Sequence, residues 1–322
     1  MILSVSRRTD VPSFYLDWFL NRLREGWLLV RNPFNPSQVS KVLLSPEVVE
    51  CIVFWTKNPE PMLGRLDELA AYTFYVQYTV NPYGKDMESR LPGLSHRLDV
   101  FRELASRLGL ERVVWRYSPV LVNAKYTDDF HCEAFENIAT TLSGSTRQCK
   151  LSFIELYQKI SASMDAQGVV ERGDERTFAL ARKLDAIAAR HGIALSACGK
   201  PDLRPAGIAV SSCVDGELIR KITGKDMSLK KDSGQRGVCN CVESVDIGTY
   251  QTCLNGCAYC YANHSHETAK RRAEKYDPDS PLLCDALKPD DKVTERRVKV
   301  HCKAAKESHQ LPLFHTGEKF NR

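Results

Sequence analysis

The sequence predicts an α/β protein built as a full or partial (β/α) barrel of the TIM type, and three observations support this fold class. The chain has 322 residues, which is long for one domain but within the range of an elaborated barrel. Short apolar runs rich in β-branched or aromatic residues alternate with amphipathic stretches, as expected for parallel strands covered by helices. Polar residues gather where several of these runs end, as they do around the active sites of barrel enzymes. An open doubly wound sheet would give the same linear pattern and remains an alternative.

Six strands are predicted from the apolar runs, at residues 2–7, 51–56, 72–79, 112–117, 149–154 and 193–198. A seventh candidate, "VESVDIG" at 242–248, leads into a loop rich in cysteine. Between the strands, helices are expected to start at Ser13, Ser95, Asp128 or Asp129, and Asp174, which are all good N-cap residues. Glycines at 26, 109, 144 and 192 are expected to end these helices.

The domain organisation follows from the same pattern. Residues 1–276 are expected to form one barrel domain, which includes a cysteine-rich segment at 198–260. From 277 to 322 the sequence is charged and poor in aromatic residues, which predicts an irregular C-terminal extension, docked through "LPLF" at 311–314.

Composition limits the class of protein. The chain is 43% hydrophobic with a net charge of +5, and no apolar run approaches the ~18 residues that would span a bilayer. The first residues, "MILSVSRRTD", lack the layout of a signal peptide. We therefore expect a cytoplasmic protein without a membrane partner, in which clustered cysteines are metal ligands or catalytic thiols and not disulfides.

Polar clusters follow the predicted strands and are expected to line one cleft. They are "SRRTD" at 6–10, "TKN" at 56–58, "QYTVN" at 77–81, "WRYSP" at 115–119 and "FIELY" at 153–157. Any one cluster alone is equally well explained as a strand leaving the core or as a surface ion-pair group. Together they give Lys57, Gln77, Arg116 and Glu155 as candidate catalytic residues in a polar, partly cationic cleft.

A cysteine triplet, Cys253, Cys257 and Cys260, follows the seventh strand candidate at a spacing of C-x3-C-x2-C. Ligands so close along the chain can face a single metal centre. A closed zinc site takes four ligands, commonly as two separated pairs, which an odd triplet fits poorly. A four-iron cluster usually takes four cysteines, so three would leave one iron open.

The stretch "CLNGCAYC" resembles the signature of the radical S-adenosylmethionine (radical SAM) superfamily, C-x3-C-x-aromatic-C, with Tyr259 in the aromatic position. The resemblance implies a full or partial (β/α) barrel and a [4Fe-4S] cluster in which each cysteine of the triplet binds one iron. S-adenosylmethionine would chelate the fourth iron and be cleaved reductively to a 5′-deoxyadenosyl radical. The resemblance thus implies an enzyme of unidentified reaction, supplied with electrons by a donor such as flavodoxin or ferredoxin.

In the late position of its triplet, the chain resembles an uncharacterised bacterial and archaeal family whose C-terminal cysteine cluster is similar to the N-terminal cluster of radical SAM proteins. We hypothesise a circular permutation in which 242–248 is the counterpart of the usual first barrel strand. This hypothesis predicts that 242–248 and 2–7 are adjacent parallel strands. No Gly-Gly-Glu is present to bind the methionine amino group, and "SRRTD" would take its place. Arg8, Thr9, Asp10 and Tyr259 are then candidate cofactor-binding residues.

A cysteine quartet precedes the triplet and consists of Cys198, Cys213, Cys239 and Cys241. Four thiolates can complete an auxiliary iron-sulfur cluster or a structural zinc site. Unrelated buried thiols are the third interpretation, although the close C-x-C pair fits it least well.

Two other functions remain open from the sequence. One is a zinc-stabilised nucleic-acid-binding protein with phosphate contacts from basic stretches such as "KDMSLKKDSGQR". The other is an iron-sulfur electron-transfer protein. The substrate of an enzyme could be a small molecule or a nucleic acid.

Overall fold

The secondary structure alternates between strands and helices through most of residues 1–199, 202–235 and 239–302, the ranges that the computed structural model describes. The strands are β1 (Ile2–Val5), β2 (Trp27–Arg31), β3 (Gln38–Leu43), β4 (Cys51–Thr56), β5 (Phe74–Thr79), β6 (Val113–Val120), β7 (Gln148–Phe153), β8 (Ala194–Ala197), β9 (Ala209–Val210), β10 (Val245–Asp246) and β11 (Lys292–Glu295). The α-helices are α1 (Val11–Phe14), α2 (Leu16–Glu25), α3 (Glu60–Leu63), α4 (Leu94–Leu108), α5 (Asp128–Leu142), α6 (Gln158–Ala166), α7 (Asp174–Arg190), α8 (Gly216–Thr223) and α9 (His266–Ala273).

The central sheet has eight strands in the order β10-β1-β4-β5-β6-β7-β8-β9, and each neighbouring pair is parallel. The predicted α/β class with a parallel sheet is therefore confirmed. At one edge, Leu3 pairs with Val245 and Ser4 with Asp246. The segments 2–7 and 242–248 thus contain adjacent parallel strands, as the sequence predicted, although about 240 residues separate them along the chain.

Both faces of this sheet are covered, which explains why every residue of β4 and of β5 is buried. Alternate side chains of a strand point to opposite faces. Phe54 and Trp115 belong to the large core cluster beneath the helices. Val53 and Tyr75 belong to a second cluster with Ile219 of α8, so α8 and its flanking segments cover the other face.

The first helical segment is divided, contrary to the prediction of one helix capped by Ser13. Asp10 caps α1 instead, and its carboxylate accepts a hydrogen bond from the backbone N–H of Ser13 at 3.2 Å. Aspartate is a preferred N-cap, and Pro12 suits the first turn of a helix. The chain turns at Tyr15, and α2 then ends at Gly26, which has a φ of 77°.

A smaller sheet joins the beginning and the end of the described chain. Strands β2 and β3 form an antiparallel pair, and β11 adds to β3 in parallel. The segment from 277 was predicted to be irregular, yet it contains β11 and is held by specific contacts. Trp18 donates to the carbonyl oxygen of Ser280 at 2.8 Å, and Glu50 accepts from the backbone of Cys302 at 2.9 Å. The docking segment predicted at 311–314 lies outside the described residues.

Within the described ranges, no helix combines the length and the apolar character needed to cross a membrane.

Candidate functional site

A cavity of about 500 Å³ lies at the carboxyl ends of the parallel strands. Because these ends meet at one edge of the sheet, side chains that are distant in sequence share this cavity. Lys57, Arg116 and Glu155, three of the four candidate catalytic residues, line it. Gln77 does not belong to this lining, because its side chain is fully buried at the sheet and donates to the carbonyl oxygen of Cys213 at 2.8 Å.

The three cysteines of the triplet all line the cavity, on the loop that follows β10. This loop is held against residues 87–89: Cys257 forms a backbone bridge with Glu88, and the N–H of Ala258 donates to the carbonyl oxygen of Met87 at 2.9 Å. Gly256 has a φ of 67°, and a Cβ at that position would lie 2.3 Å from Ser89 Oγ. The glycine between the first two cysteines is therefore required by both the turn and the close approach.

Burial dominates the acidity of the triplet thiols. It raises the pKa of Cys257 to about 12, and it raises the pKa of Cys253 and of Cys260 as well. Backbone hydrogen bonds from Asn255 to Cys253 and from Asn263 to Cys260 act in the opposite direction. Such N–H contacts and the charge of Lys57 favour thiolates, which are the form that binds a metal.

A buried polar network lies behind the triplet and is centred on Glu88. Its carboxylate accepts hydrogen bonds from Lys57 at 2.7 Å, Arg97 at 3.1 Å and Asn81 at 3.2 Å, and also from the hydroxyl of Tyr259. Burial alone raises the pKa of Glu88, but the two cations outweigh it and bring the pKa below its usual value. Tyr259, the motif aromatic, is thus held by a carboxylate that the sequence did not single out.

The three predicted cofactor residues of the N-terminal segment also line the cavity. The carboxylate of Asp10 is fully engaged by the protein and accepts from the backbone of Lys57 and from the side chain of Asn255, each at 2.8 Å. Burial raises its pKa. Thr9 Oγ1 is buried without a partner among the described residues. Arg8 donates to the carbonyl oxygen of Gly248 at 3.3 Å.

The cysteine quartet lines the same cavity as the triplet. Cys213 Sγ lies 3.1 Å from Cys198 Sγ, and Cys241 Sγ accepts from the backbone N–H of Val214 at 3.3 Å. Hydrogen bonds from Cys198 and Cys213 lower the pKa of Cys241 to about 7. A hydrogen bond from Cys241 likewise lowers the pKa of Cys239 to about 6, whereas the pKa of Cys198 is raised by its thiol neighbours. Four soft donors thus share a small volume, and their mutual contacts lower the pKa of two of them.

In the part of the chain that the structure describes, no three His, Cys, Asp or Glu side chains converge as ligands of one metal ion. Two sulfurs at 2.3 Å from a tetrahedral zinc would be about 3.8 Å apart, and thiolates on different irons of a four-iron cluster are farther apart still. Cys198 and Cys213, with their sulfurs 3.1 Å apart, would have to separate to hold either group.

A comparison with protein families identifies the family of the chain. A family model described as a domain of unknown function (DUF1848) matches residues 2–262. The chain belongs to the DUF1848 family. The matched span contains both cysteine groups and the polar strand ends, whereas α9 and β11 lie outside it. No curated protein matches the chain.

Asp246 is a cavity residue of the DUF1848 span that the sequence analysis did not identify. Its carboxylate, at the end of β10, accepts hydrogen bonds from Ser4 Oγ at 3.0 Å, Ser6 Oγ at 2.6 Å and the backbone N–H of Arg7 at 2.8 Å. The sequence feature that could have identified it is its position as an acidic residue near the end of the strand candidate "VESVDIG". Asp246 fixes the edge strand and the arginine-bearing loop to each other.

Proposed function

We propose that the protein is a radical SAM enzyme in which Cys253, Cys257 and Cys260 bind a [4Fe-4S] cluster. The observation that carries this proposal is the position of the triplet. The motif cysteines lie on a loop directly after a parallel strand and face a cavity that the polar ends of neighbouring strands also line. Barrel enzymes build their active sites at this edge.

The strand order supports the proposed circular permutation. Read across the sheet from β10, the strands follow one another as β1, β4, β5, β6, β7 and β8, each parallel to the last. With β10 as the counterpart of a first strand, this is the order of a partial (β/α) barrel, and the cysteine loop follows the first strand as the resemblance requires. A closed barrel is not needed for this arrangement.

The residues of the triplet fit a cluster by their chemistry. Thiolates are the soft ligands that iron-sulfur clusters use. The cation Lys57 and backbone N–H donors next to the triplet favour the thiolate form of its cysteines. When bound, such a cluster would supply the electron that cleaves S-adenosylmethionine, and a flavodoxin or ferredoxin would donate that electron to the cluster. The chain's own contribution is to hold the cysteine loop through Glu88 and Asp10.

The four candidate cofactor-binding residues fall into two pairs that differ in the hydrogen bonds their polar atoms already make. Arg8 and Thr9 both line the cavity: Thr9 Oγ1 has no partner in the described ranges, and the guanidinium group of Arg8 has only long contacts, at 3.3 Å to Gly248 and 3.8 Å to Asp246. Asp10 and Tyr259 also line it, but their polar atoms are hydrogen-bonded to Asn255 and to Glu88. We assign contact with S-adenosylmethionine to the first two and positioning of the cysteine loop to the second two.

We propose an auxiliary iron-sulfur cluster at the quartet. Its four soft donors come from segments after β8 and β9 and before β10, and they meet at the cavity that the triplet also faces. The positive charges of Arg116 and Arg7 act on Cys213 and Cys239, respectively, and favour their thiolate forms. An auxiliary cluster here would lie beside the substrate and could accept an electron from it or bind it.

Anaerobic reconstitution with iron and sulfide, followed by reduction in the presence of S-adenosylmethionine, tests the proposal. We expect 5′-deoxyadenosine to form, and Cys257→Ala to abolish it. Cys132→Ala is the matched control, since Cys132 is a partly buried cysteine of α5 that does not line the cavity. A colourless protein with stoichiometric zinc would favour the nucleic-acid-binding alternative instead. Iron-sulfur absorbance that does not respond to S-adenosylmethionine would favour electron transfer.

A further inference from the structure

Most of the cations that line the cavity are neutralised by the protein. The guanidinium groups of Arg7 and Arg8 lie 3.5 and 3.8 Å from the carboxylate of Asp246. The ammonium group of Lys57 lies 2.7 Å from Glu88. These three side chains therefore have an anionic partner before any ligand enters.

Arg116 differs from them. Within the described ranges no carboxylate lies within ion-pair distance of its guanidinium group, and its one hydrogen bond, to Ser118 Oγ, is long at 3.4 Å. Its Nε is buried and has no acceptor there. A buried donor without an acceptor is unusual and costs free energy, so a missing acceptor is expected at such a place.

The neighbours of Arg116 are donors too. Its guanidinium carbon lies 4.8 Å from the centre of the Trp55 ring, and the indole Nε1 of Trp55 is also buried without an acceptor among the described residues. The hydroxyls of Ser118 and Ser152 bond to each other at the cavity wall. A planar cation stacked on an aromatic ring and flanked by hydroxyl groups suits a carboxylate or phosphate, which a guanidinium binds through two parallel hydrogen bonds.

Lys57 is the cavity cation that directly contacts the triplet loop, since its ammonium group lies 2.8 Å from the hydroxyl of Tyr259. The guanidinium group of Arg116 instead contacts Trp55 of β4 and Ser118 of β6. We therefore assign the carboxylate of S-adenosylmethionine bound at the triplet to Lys57 and the donors around Arg116 to another ligand.

We propose that Arg116, stacked on Trp55, binds an oxyanionic group of the substrate, a carboxylate or a phosphate. In calling the ligand a substrate, the inference rests on the proposed function. The binding itself does not depend on radical chemistry.

Calorimetric titration of the full-length, anaerobically purified protein with inorganic phosphate, and separately with malonate, tests the site. We expect saturable binding of at least one of these anions and a 10- to 100-fold higher Kd for Arg116→Gln, the usual effect of losing charge-assisted hydrogen bonds. Arg116→Lys should fall between the two, because lysine keeps the charge and loses the bidentate geometry. Arg102→Gln, which changes an exposed arginine of α4, is the matched control and should bind like the wild type.

The anion titration is independent of cluster chemistry, because S-adenosylmethionine is added only in a separate competition experiment and no 5′-deoxyadenosine is measured. Absence of saturable binding by the wild type, or equal binding by Arg116→Gln, would overturn the inference. Competition by S-adenosylmethionine would assign the site to the carboxylate of that cofactor and would overturn it as well. If Arg116→Gln does not fold, the fluorescence of Trp55 decides: anion binding should change the emission of the wild type and not that of Trp55→Phe.

Discussion

Substitution of Glu88 by glutamine tests whether the buried network supports the cysteine loop. Glu88 has no exposed side-chain surface, and its partner Arg97 is only 2% exposed. Glutamine keeps the size of the side chain and one carbonyl oxygen, but it removes the negative charge. Arg97 would then be a buried cation without a counter-charge. Lys57 is 16% exposed and would be partly compensated by solvent.

The expected loss follows from the cost of leaving one member of a buried ion pair alone, which is about 3–5 kcal/mol. The retained amide oxygen and the exposure of Lys57 favour the lower half of that range. We therefore expect a loss of about 3–4 kcal/mol in the free energy of unfolding. At about 2.1 cal/mol/K of unfolding entropy per residue, Tm of a 322-residue protein shifts by roughly 1.5 °C per kcal/mol, so Tm should fall by about 5 °C.

Urea and thermal unfolding followed by circular dichroism measure this loss. Glu60→Gln is the matched control, because Glu60 and its partner His96 are each 48% exposed and lie 3.1 Å apart. Surface pairs contribute little, so the control should change the free energy of unfolding by less than about 1 kcal/mol. If Glu88→Gln changes the free energy of unfolding as little as the control does, the buried network does not stabilise the fold as expected.

Two further predictions concern pH and backbone packing. Burial lowers the pKa of His131 from 6.5 to about 4, and its neutral ring bonds to Tyr117 and to the backbone. As pH falls below 6.5 the unfolded chain takes up a proton that the folded chain does not, so about 2–3 kcal/mol of stability should be lost between pH 8 and 4.5. Urea unfolding at several pH values measures this loss, which should be absent in His131→Gln. If the variant keeps the pH dependence of the wild type, the role assigned to His131 is wrong. A Cβ at Gly248 would lie 2.0 Å from Ser6 Oγ, so Gly248→Ala should destabilise the protein by about 1–3 kcal/mol. Gly93→Ala is the control and should leave Tm nearly unchanged, because a Cβ at Gly93 would have no atom within 4 Å. Equal Tm values for the two variants would contradict the close approach at Gly248.

The strands of the central sheet were largely readable from the sequence, because each is a short apolar run between polar turns. The run predicted at 51–56 coincides with β4, and the late strand candidate at 242–248 contains β10. Strands β2 and β3 were not predicted, since their buried and partly exposed residues are mixed and they pair in a separate small sheet. Strand β9 has two residues, too few for a periodic signal.

The site was only partly readable, for a related reason. A polar residue after a strand reaches the common edge of a parallel sheet, and Lys57 and Glu155 line the cavity for this reason. Arg116 lies inside β6 and reaches the cavity through its long side chain. Gln77 also lies inside its strand, but its shorter side chain stays buried and bonds to the carbonyl oxygen of Cys213. The role of Glu88 depends on partners brought together only by tertiary structure, and no local pattern announces it.

The position of β10 has a consequence for how the protein matures. The hydroxyls of Ser4, in β1, and of Ser6, just after it, donate to the carboxylate of Asp246, about 240 residues later. Contacts of such long sequence separation form late, because the intervening loop must be closed first. During synthesis, the strands β1 and β4 to β9 can associate before the edge strand and the cysteine loop have left the ribosome. Any metal centre on that loop would then be assembled on a nearly complete sheet, after translation of the domain and not during it.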